Sequence, residues 1–467
     1  MVRNASAEGK PQGAGARPSA PASSGSAQPT QRMHQKSGTP VETLRIEGFA
    51  HDGRGVARRN GKAVFVDGAL PGEEVNVRVR RQRSSHDEAE LLGIISPSPD
   101  RMPPPCPHAG RCGGCALQHL ATAAQLAAQH QRLADALSRI GKLAPEHWLP
   151  PEASASWGYR SRARLSIARE SVGGRVSVGF LQEESTRVET IDACGVLVPA
   201  LAALPGLLRD VVASLEGPVI PREAWLAAGD DSAAIAFCST GKLAPADRER
   251  LLAFGASRNL QIGFGTRVGQ RERRWESPAP RLEYSPGEGI RLCHAPWDFT
   301  QANPVINRLL VSRVLALLAP GPDEAVLDFF CGIGNFSLPL ARYAKKVLAL
   351  ESSATQVATA TANAEANGIG NCAFRESDLF DEASLRELPR KEYPLAVLDP
   401  PRAGAALLCQ NLRALGVRRL VYVSCDTATL ARDAKHLHAQ GYRLKSAGVF
   451  QMFPHTAHVE SLALFQR

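Results

Sequence analysis

The sequence predicts an α/β protein whose last third forms a doubly wound parallel sheet, preceded by a small β-barrel. Two observations predict the sheet. Helical and strand patterns alternate from about Val305 onward, and the buried-strand pattern Ala325–Phe330 runs directly into a glycine-containing turn. Short alternating strands between residues 41 and 97 predict the barrel. A length of 467 residues suits roughly three domains of about 150 residues each.

We expect four regions along the chain: a disordered tail at 1–40, the barrel at 41–98, an α+β central domain at 99–300 and the α/β domain at 301–467. The tail is rich in Ala, Ser, Gly, Pro and Gln, and such a segment buries too little surface to offset the entropy of ordering. In the central domain, a helix is predicted from about Leu120 to Ile140 and is closed by Gly141.

Charge and cysteine content restrict the class of protein. The net charge of +9 favours a polyanionic partner such as nucleic acid, although a merely soluble basic enzyme remains an alternative. No apolar run approaches the roughly 18 residues of a membrane span, and no signal peptide is evident, so we expect a cytoplasmic monomer without membrane contact. Ten cysteines in such a chain argue against a disulfide framework.

The predicted barrel carries a basic stripe. In the segment Glu74–Arg80 the valines share one face, while Asn76, Arg78 and Arg80 share the other. Together with the turns at 53–57 and 67–73, this segment resembles the TRAM module, an RNA-binding relative of the oligonucleotide-binding fold. The resemblance implies RNA binding by the barrel; a solvated polar face on an accessory domain remains the alternative.

Carboxylates lie where the predicted parallel strands end. Glu351, Asp378 and Asp399 close the second, third and fourth strands, and ligands of such sheets bind outside these carboxyl ends. The third glycine of a dinucleotide fingerprint is absent, because Phe336 follows Asn335. This favours an adenosine cofactor without phosphates, S-adenosylmethionine, over an NAD site or a purely structural α/β domain.

A thiol and a second carboxylate identify the chemistry. Asp399-Pro400-Pro401 resembles the loop of amino-directed methyltransferases, but Arg402 stands where those enzymes carry an aromatic residue. An exocyclic amine needs no activating thiol, whereas C5 of uracil becomes nucleophilic only after a thiolate adds to C6. Cys425 can add, and Glu460 can then remove the C5 proton. Taken alone, Cys425 would more often be a buried core cysteine, and the presence of Asp399 and Glu460 reverses that preference.

Five motifs resemble the RNA uracil-C5 methyltransferase family. They are Phe299–Asn303, Asp328–Phe336, Leu398–Arg402, Val423–Cys425 and Met452–Glu460. The resemblance implies a class I (Rossmann-like) methyltransferase domain, with Cys425 as nucleophile, Glu460 as base and Phe299 stacked near the target base. The residues it implies around S-adenosylmethionine are Gln301, Phe330, Asn335, Glu351, Asp378 and Asp399.

Three cysteines crowd into one segment, Cys106-x5-Cys112-x2-Cys115. Three thiolates need a fourth ligand, and Cys194 is the best candidate for it; the spacing leaves an iron–sulfur cluster and zinc both open. The family resemblance implies a [4Fe–4S] cluster with Cys194 as the fourth ligand. Since the proposed chemistry has no redox step, we expect the cluster to be structural or to position RNA.

The sequence departs from the family pattern twice. Asp426-Thr427 follows the nucleophile where Asn-Pro is usual, and Gln451 precedes Met452 where Asp is common. We expect the added carboxylate of Asp426 to raise the pKa of Cys425. Neither change removes a catalytic group, so activity is still expected.

The barrel and the cysteine cluster point to the type of this family that methylates 23S ribosomal RNA. Transfer-RNA enzymes of the family usually lack both parts and are the runner-up. A catalytically dead RNA-binding protein and a radical or electron-transfer protein are the alternatives from other classes. Arg160, Arg162 and Arg164 share one face of a predicted strand and are expected to contact RNA phosphates.

Overall fold

The computed structural model describes residues 40–170, 174–183, 185–269 and 272–467. The chain divides by its contacts into residues 1–40 and 41–467. The predicted disordered tail, apart from Pro40, lies outside the described residues. Within the described part, no helix has both the length and the hydropathy required to span a lipid bilayer.

The first five strands form a closed barrel. They are β1 (Val41–Phe49), β2 (Gly55–Arg59), β3 (Lys62–Val66), β4 (Glu74–Gln82) and β5 (His86–Ser96). Their order is β1-β2-β3-β5-β4, and β4 closes the barrel by antiparallel pairing with β1. Val75, Val77 and Val79 point into its core, as their alternation predicts. The predicted barrel is therefore confirmed.

Carboxylates on β5 partly neutralise the basic stripe of the barrel. Glu90 pairs with Arg80, at 2.5 Å, and with Arg78, at 3.9 Å. Glu88 likewise contacts Arg81 and Arg83 at 3.6 and 3.4 Å. These pairs are exposed and each contributes little stability, so the arginines can exchange their partners for phosphates at small cost.

A second sheet of seven strands lies in the central region, in the order β13-β12-β11-β10-β7-β8-β9. Its strands are β7 (Arg162–Arg169), β8 (Val176–Leu181), β9 (Val188–Thr190), β10 (Pro221–Ala228), β11 (Ala233–Ser239), β12 (Leu260–Val268) and β13 (Glu272–Trp275). The helices of this region are α2 (Pro199–Ala202), α3 (Leu204–Ala213) and α4 (Pro245–Ala256), and a hairpin of β14 (Leu282–Gly287) and β15 (Ile290–His294) follows.

The C-terminal region forms an eight-stranded sheet in the order β18-β17-β16-β19-β20-β22-β21-β6, in which the edge strand β6 is His147–Trp148. Its strands are β16 (Ala325–Phe329), β17 (Lys346–Glu351), β18 (Cys372–Glu376), β19 (Leu395–Leu398), β20 (Arg419–Ser424), β21 (Arg443–Phe450) and β22 (Glu460–Gln466). The helices are α5 (Pro304–Leu318), α6 (Ser337–Ala341), α7 (Ala354–Ala366), α8 (Glu382–Arg386), α9 (Ala406–Leu415) and α10 (Thr427–Ala439). Strands β16 to β20 are parallel, which confirms the predicted sheet.

Two elements that precede the central sheet in sequence pack on the C-terminal sheet instead. Strand β6 (His147–Trp148) pairs with β21 at the sheet edge. Helix α1 (Thr122–Ala136) continues into a π-helical turn at Leu137–Gly141, and Leu133 and Leu137 enter the same core as Phe329. The predicted helix therefore exists, but its last turn is wider than α-helical.

Candidate active site

The register of β20 and β22 brings the predicted thiol and base together. These strands are antiparallel, and Ser424 is paired with Ser461. Cys425 follows Ser424 and Glu460 precedes Ser461, so the two residues flank the last pair of the ladder, and Glu460 is close enough to act electrostatically on the thiol. Although 35 positions separate them in the sequence, both lie at the edge where the parallel strands end.

The electrostatic environment of this edge disfavours negative charge. Burial, followed by the carboxylates of Glu460 and Asp399, raises the pKa of Cys425 to about 11, while Arg402 opposes the rise. Burial and Asp399 also raise the pKa of Glu460 well above its usual range. A carboxylate with a raised pKa is a stronger base, which suits proton abstraction from carbon.

Asp399 occupies the loop that follows β19. Burial raises its pKa to about 7, and the side-chain amide of Gln301 opposes the shift by donating to Oδ2 at 3.3 Å. This hydrogen bond joins two residues that the sequence separately assigned to the cofactor. The thiol, the base and Asp399 thus form one cluster of mutually interacting groups.

The loops after β16 and β17 form a cradle lined by backbone N–H groups and a carboxylate. Glu351 accepts hydrogen bonds from the N–H of Gly332 at 3.2 Å and of Ser353 at 3.1 Å. Phe330 adopts a left-handed backbone conformation with φ of +66°, which costs a non-glycine residue about 1 to 3 kcal/mol. Such strain at a strand end is typical of ligand sites.

Asp378 and Phe330 lie on the same side of the cradle. The Asp378 carboxylate accepts a hydrogen bond from the N–H of Phe380 at 2.9 Å, and the Phe380 ring lies 5.7 Å from that of Phe330. Phe380 is 50% exposed, so these rings offer an apolar surface beside the carboxylates. An adenine base is suited to such a surface.

Asn335 is directed toward protein groups that the sequence did not single out. Its side chain exchanges two hydrogen bonds with Asn307, at 2.9 and 3.0 Å, and accepts a third from the Tyr284 hydroxyl at 3.1 Å. Asn335 therefore fixes α5 and the β14–β15 hairpin against the glycine turn. One N–H of its amide remains available for a ligand.

The sequence also missed the chemistry of Asp328. This residue is fully buried on β16, and burial raises its pKa to about 8, whereas a hydrogen bond from Ser337 opposes the shift. Ser337 begins α6, so a protonated Asp328 links the strand to the helix behind the glycine turn. An acidic residue inside a predicted buried strand was the signal that could have found it.

A cavity of about 280 Å³ opens between β7, β10 and the Phe299–Asn303 segment. Phe299, 61% exposed, lies on this cavity, and the guanidinium of Arg162 is 5.8 Å from its ring centre. Arg162 donates to the backbone oxygen and hydroxyl of Thr300 at 3.1 and 3.2 Å. The cavity has room for a flat base stacked on Phe299.

The three arginines expected to contact phosphates differ in their exposure to solvent. Burial lowers the pKa of Arg162 to about 10, and its side chain, which is partly exposed, lines the cavity beside Phe299. Arg164 is exposed, and Arg160 lies at the other edge of the same cavity. The structure thus gives the three arginines different exposure along one cavity, and phosphate contact stays a prediction for all of them.

Three arginines from separate regions surround the loop before Glu460. Partial burial, then Arg402, Arg132 and Arg160, lower the pKa of His458 to about 4. Arg402 donates to the His458 ring at 2.8 Å, which the neutral imidazole can accept. This concentration of positive charge beside the thiol suits a phosphate backbone.

The structure accounts for one of the two sequence departures and corrects its expected effect. The Asp426 side chain caps α10 by accepting from the N–H groups of Ala428 and Thr429 at 3.0 and 2.9 Å. The groups that raise the pKa of Cys425 are Glu460 and Asp399, not Asp426. At the other departure, the Gln451 amide is buried, and neither of its polar atoms has a partner within the described residues.

The four cysteines of the predicted cluster approach one another. Cys194 and Cys106 are among the groups that raise the pKa of Cys112, and the pKa of Cys115 rises to about 11 through burial and all three other thiols. Four thiols that influence one another electrostatically match the donor set of such a cluster. Within the described ranges, however, no group of three or more His, Cys, Asp or Glu side chains is arranged tightly enough to hold a metal ion.

Known protein families match the barrel and the C-terminal region of the chain. The family model described as tRNA (Uracil-5-)-methyltransferase matches residues 293–467, and the TRAM domain model matches residues 40–92. A Nitrosococcus oceani protein named 23S rRNA (uracil(1939)-C(5))-methyltransferase RlmD is 44% identical over 425 residues, which cover 90% of this chain and 95% of that protein. The chain belongs to the RNA uracil-C5 methyltransferase family. The resemblance drawn from the motifs is confirmed.

Other members of the family give the same result. The protein of the same name from Acidithiobacillus ferrooxidans is 45% identical over 91% of this chain and 97% of its own length. The crystal structure of Pyrococcus abyssi tRNA (uracil-54, C5)-methyltransferase in complex with S-adenosyl-L-homocysteine aligns with a TM-score of 0.70. At 24% identity, over 91% of this chain and all of that one, this likeness concerns the fold. As a family member, this chain is an S-adenosylmethionine-dependent methyltransferase.

Proposed function

We propose that this chain methylates C5 of a uracil in 23S ribosomal RNA through a covalent adduct with Cys425. The observation that supports the mechanism is the β20–β22 register, whose last pair, Ser424 and Ser461, is flanked by Cys425 and Glu460. The relatives named RlmD, similar over nine tenths of the chain, support the substrate. Ribosomal RNA as substrate implies work in the cytoplasm; the monomeric state stays a prediction.

The residues fit the two demands of the reaction. The Cys425 thiol loses its proton to solvent, the resulting thiolate bonds to C6, and the π electrons of the C5–C6 double bond move toward C5 and the adjacent carbonyl. Bound S-adenosylmethionine supplies the methyl group that C5 takes. Glu460 then removes the C5 proton, the double bond re-forms, and the sulfur leaves with the electron pair of the C–S bond.

Residues on the cavity prepare the base and the cofactor. The target base leaves its stack, at a cost of a few kcal/mol, and stacks on Phe299. Arg162 offers its partly buried charge to the oxygens of the base, where the adduct develops negative charge. Gln301, Phe330, Asn335, Glu351, Asp378 and Asp399 would hold the cofactor.

Covalent trapping tests the mechanism. RNA that carries 5-fluorouridine at the target has no C5 proton to remove, so an adduct with Cys425 should accumulate. Glu460→Gln should instead accumulate a methylated adduct with ordinary RNA, because the addition and the methyl transfer precede its step. Undiminished methylation by Cys425→Ala would exclude the mechanism.

Mapping of modified uridines tests the substrate. RNA from cells with and without this gene should differ at a single uridine in 23S RNA. Loss of a 5-methyluridine from transfer RNA instead would favour the alternative within the family. Absence of any change, with trapping also absent, would favour a catalytically dead RNA-binding protein.

Cys106, Cys112, Cys115 and Cys194 would hold a [4Fe–4S] cluster. The mutual effect of their thiols on pKa supports this assignment, and the reaction needs no electron from the cluster, so its role is to fix the central region. Anaerobic purification should give about four irons and four sulfides per chain, as that cluster contains. Cys194→Ala should lose most of them, and full retention would reject the ligand set.

A further inference from the structure

An aromatic surface extends from the cavity along the central sheet. Trp225, Trp275 and Trp297 are partly exposed and contact one another. The rings of Trp275 and Trp297 are parallel within 2° at 4.4 Å, and Trp225 meets Trp275 edge-on at 5.7 Å. Water-accessible tryptophans in contact are unusual in a protein with only five of them.

Gly265 leaves space for the Trp275 ring, and a hydrogen bond fixes the orientation of Trp225. A Cβ atom on Gly265 would lie 2.4 Å from the Trp275 ring, so only glycine allows the indole to rest on the strand. The indole N–H of Trp225 donates to Glu223 at 2.9 Å. Arg273 in turn binds both oxygens of Glu223, at 2.6 and 2.8 Å, so the orientation of Trp225 is set before any ligand arrives.

Trp225 lines the same cavity as Phe299, and each of the two rings lies beside an arginine. The guanidinium of Arg162 lies 5.8 Å from the Phe299 ring, and that of Arg164 lies 5.5 Å from the Trp225 ring. The two arginines are two residues apart on β7, a separation of roughly 6.6 Å. The cavity thus presents two neighbouring units, each an aromatic ring with an arginine.

We propose that Trp225 and Arg164 form a second nucleobase subsite, which binds the unpaired nucleotide next to the target uridine. The neighbouring base stacks on the indole, and the exposed Arg164 contacts its phosphate. Stacking of this kind tolerates any base, so the subsite holds the strand in place without reading its sequence. The inference rests on the proposed function, since it takes the target base to occupy the Phe299 side.

The first test compares variants on one target-containing RNA. Trp225→Ala should raise both the Kd and the KM for RNA about tenfold, the size expected for one stacked base, with kcat nearly unchanged. Trp225→Phe should recover most of the loss, because a smaller aromatic ring still stacks. Trp148→Ala, at another partly exposed tryptophan that does not line the cavity, is the matched control and should bind like wild type.

The second test removes the stacking base from the RNA instead of the tryptophan ring from the protein. An abasic nucleotide placed immediately before or after the target uridine should weaken binding by wild type about tenfold at one of the two positions. Trp225→Ala should lose nothing further at that position. Equal losses in wild type and Trp225→Ala at both positions, or wild-type affinity in Trp225→Ala, would overturn the subsite.

Trapping with 5-fluorouridine RNA separates this inference from the proposed function. If the function is wrong, no adduct forms with any variant, including wild type. If only the subsite is wrong, Trp225→Ala and wild type form the adduct, and adduct formation depends on RNA concentration in the same way in both. Arg164→Ala provides an independent variant and should weaken binding and flatten its salt dependence, because one phosphate contact is lost.

Discussion

Gln125, on α1, binds the backbone of His455, five residues before the proposed base. Its Oε1 accepts from the N–H of His455 at 2.7 Å, and its Nε2 lies 3.2 Å from the ring Nδ1 while donating to Leu117 and Leu120. His455 is buried with a left-handed φ of +66°. A strained loop next to the active site is therefore held by a helix that begins just after the cysteine cluster.

Two more residues of α1 bind the same loop. Gln129 donates to the backbone oxygen of His458 at 3.0 Å, and Arg132 to that of Ala457 at 2.6 Å. Their spacing of four and three residues places all three side chains on one helix face. Since β22 begins at Glu460, this face of α1 sets the position of the base.

Replacing Gln125 should therefore release the loop that positions the proposed base, Glu460. We expect Gln125→Leu to lower kcat about tenfold or more and to accumulate the methylated adduct with ordinary RNA, as Glu460→Gln does. The KM for RNA should change little. Gln131→Leu, on the exposed side of α1, is the control; a lower melting temperature without adduct accumulation would show that Gln125 has only a structural role.

The raised pKa of Cys425 predicts the pH dependence of its alkylation. Because only the thiolate reacts, iodoacetamide labelling of Cys425 should rise about tenfold per pH unit above neutrality and level off near pH 11. Glu460→Gln removes a negative charge and should shift the profile to lower pH. Arg402→Gln removes a positive charge and should shift it upward. Mass spectrometry of the Cys425 peptide measures this; identical profiles in both variants would contradict the electrostatic account.

The partly buried charge of Arg162 beside Phe299 predicts a role in catalysis beyond RNA affinity. Arg162→Met should lower kcat with uridine RNA by about a hundredfold, because the charge that the adduct develops then loses the guanidinium beside Phe299. Arg162→Lys should recover part of the rate, as it keeps a cation but loses the planar donor set. Single-turnover methylation separates this effect from RNA binding; a change in KM alone would contradict it.

The unpartnered amide of Gln451 predicts an unusual gain in stability. Gln451→Leu removes two buried polar atoms that lack hydrogen bonds and should raise the free energy of unfolding by about 1 kcal/mol. Gln440→Leu is the matched control and should destabilise, because the Gln440 amide binds the backbone oxygens of Cys409 and His436. Denaturant unfolding measures both; a loss of stability in Gln451→Leu would indicate a partner for its amide.

The sequence alone predicted a uracil-C5 methyltransferase and most of its fold. Strand periodicity predicted the barrel and the parallel sheet, and residues that follow buried strands, such as Asp399 and Cys425, had to meet at one sheet edge. Glu460 also came from the sequence, through the family motif, although nothing in the local pattern showed that an antiparallel strand would return it to the thiol.

The tertiary structure decided how residues of the same type differ in their surroundings. Arg162 and Arg164 share one strand face, yet Arg162 is partly buried beside Phe299, whereas Arg164 is exposed beside Trp225. Gln125 was one polar residue in a helix until the fold placed it against His455, 330 positions away. Periodicity reports which face a side chain occupies; what lies opposite that face depends on the packing of distant elements.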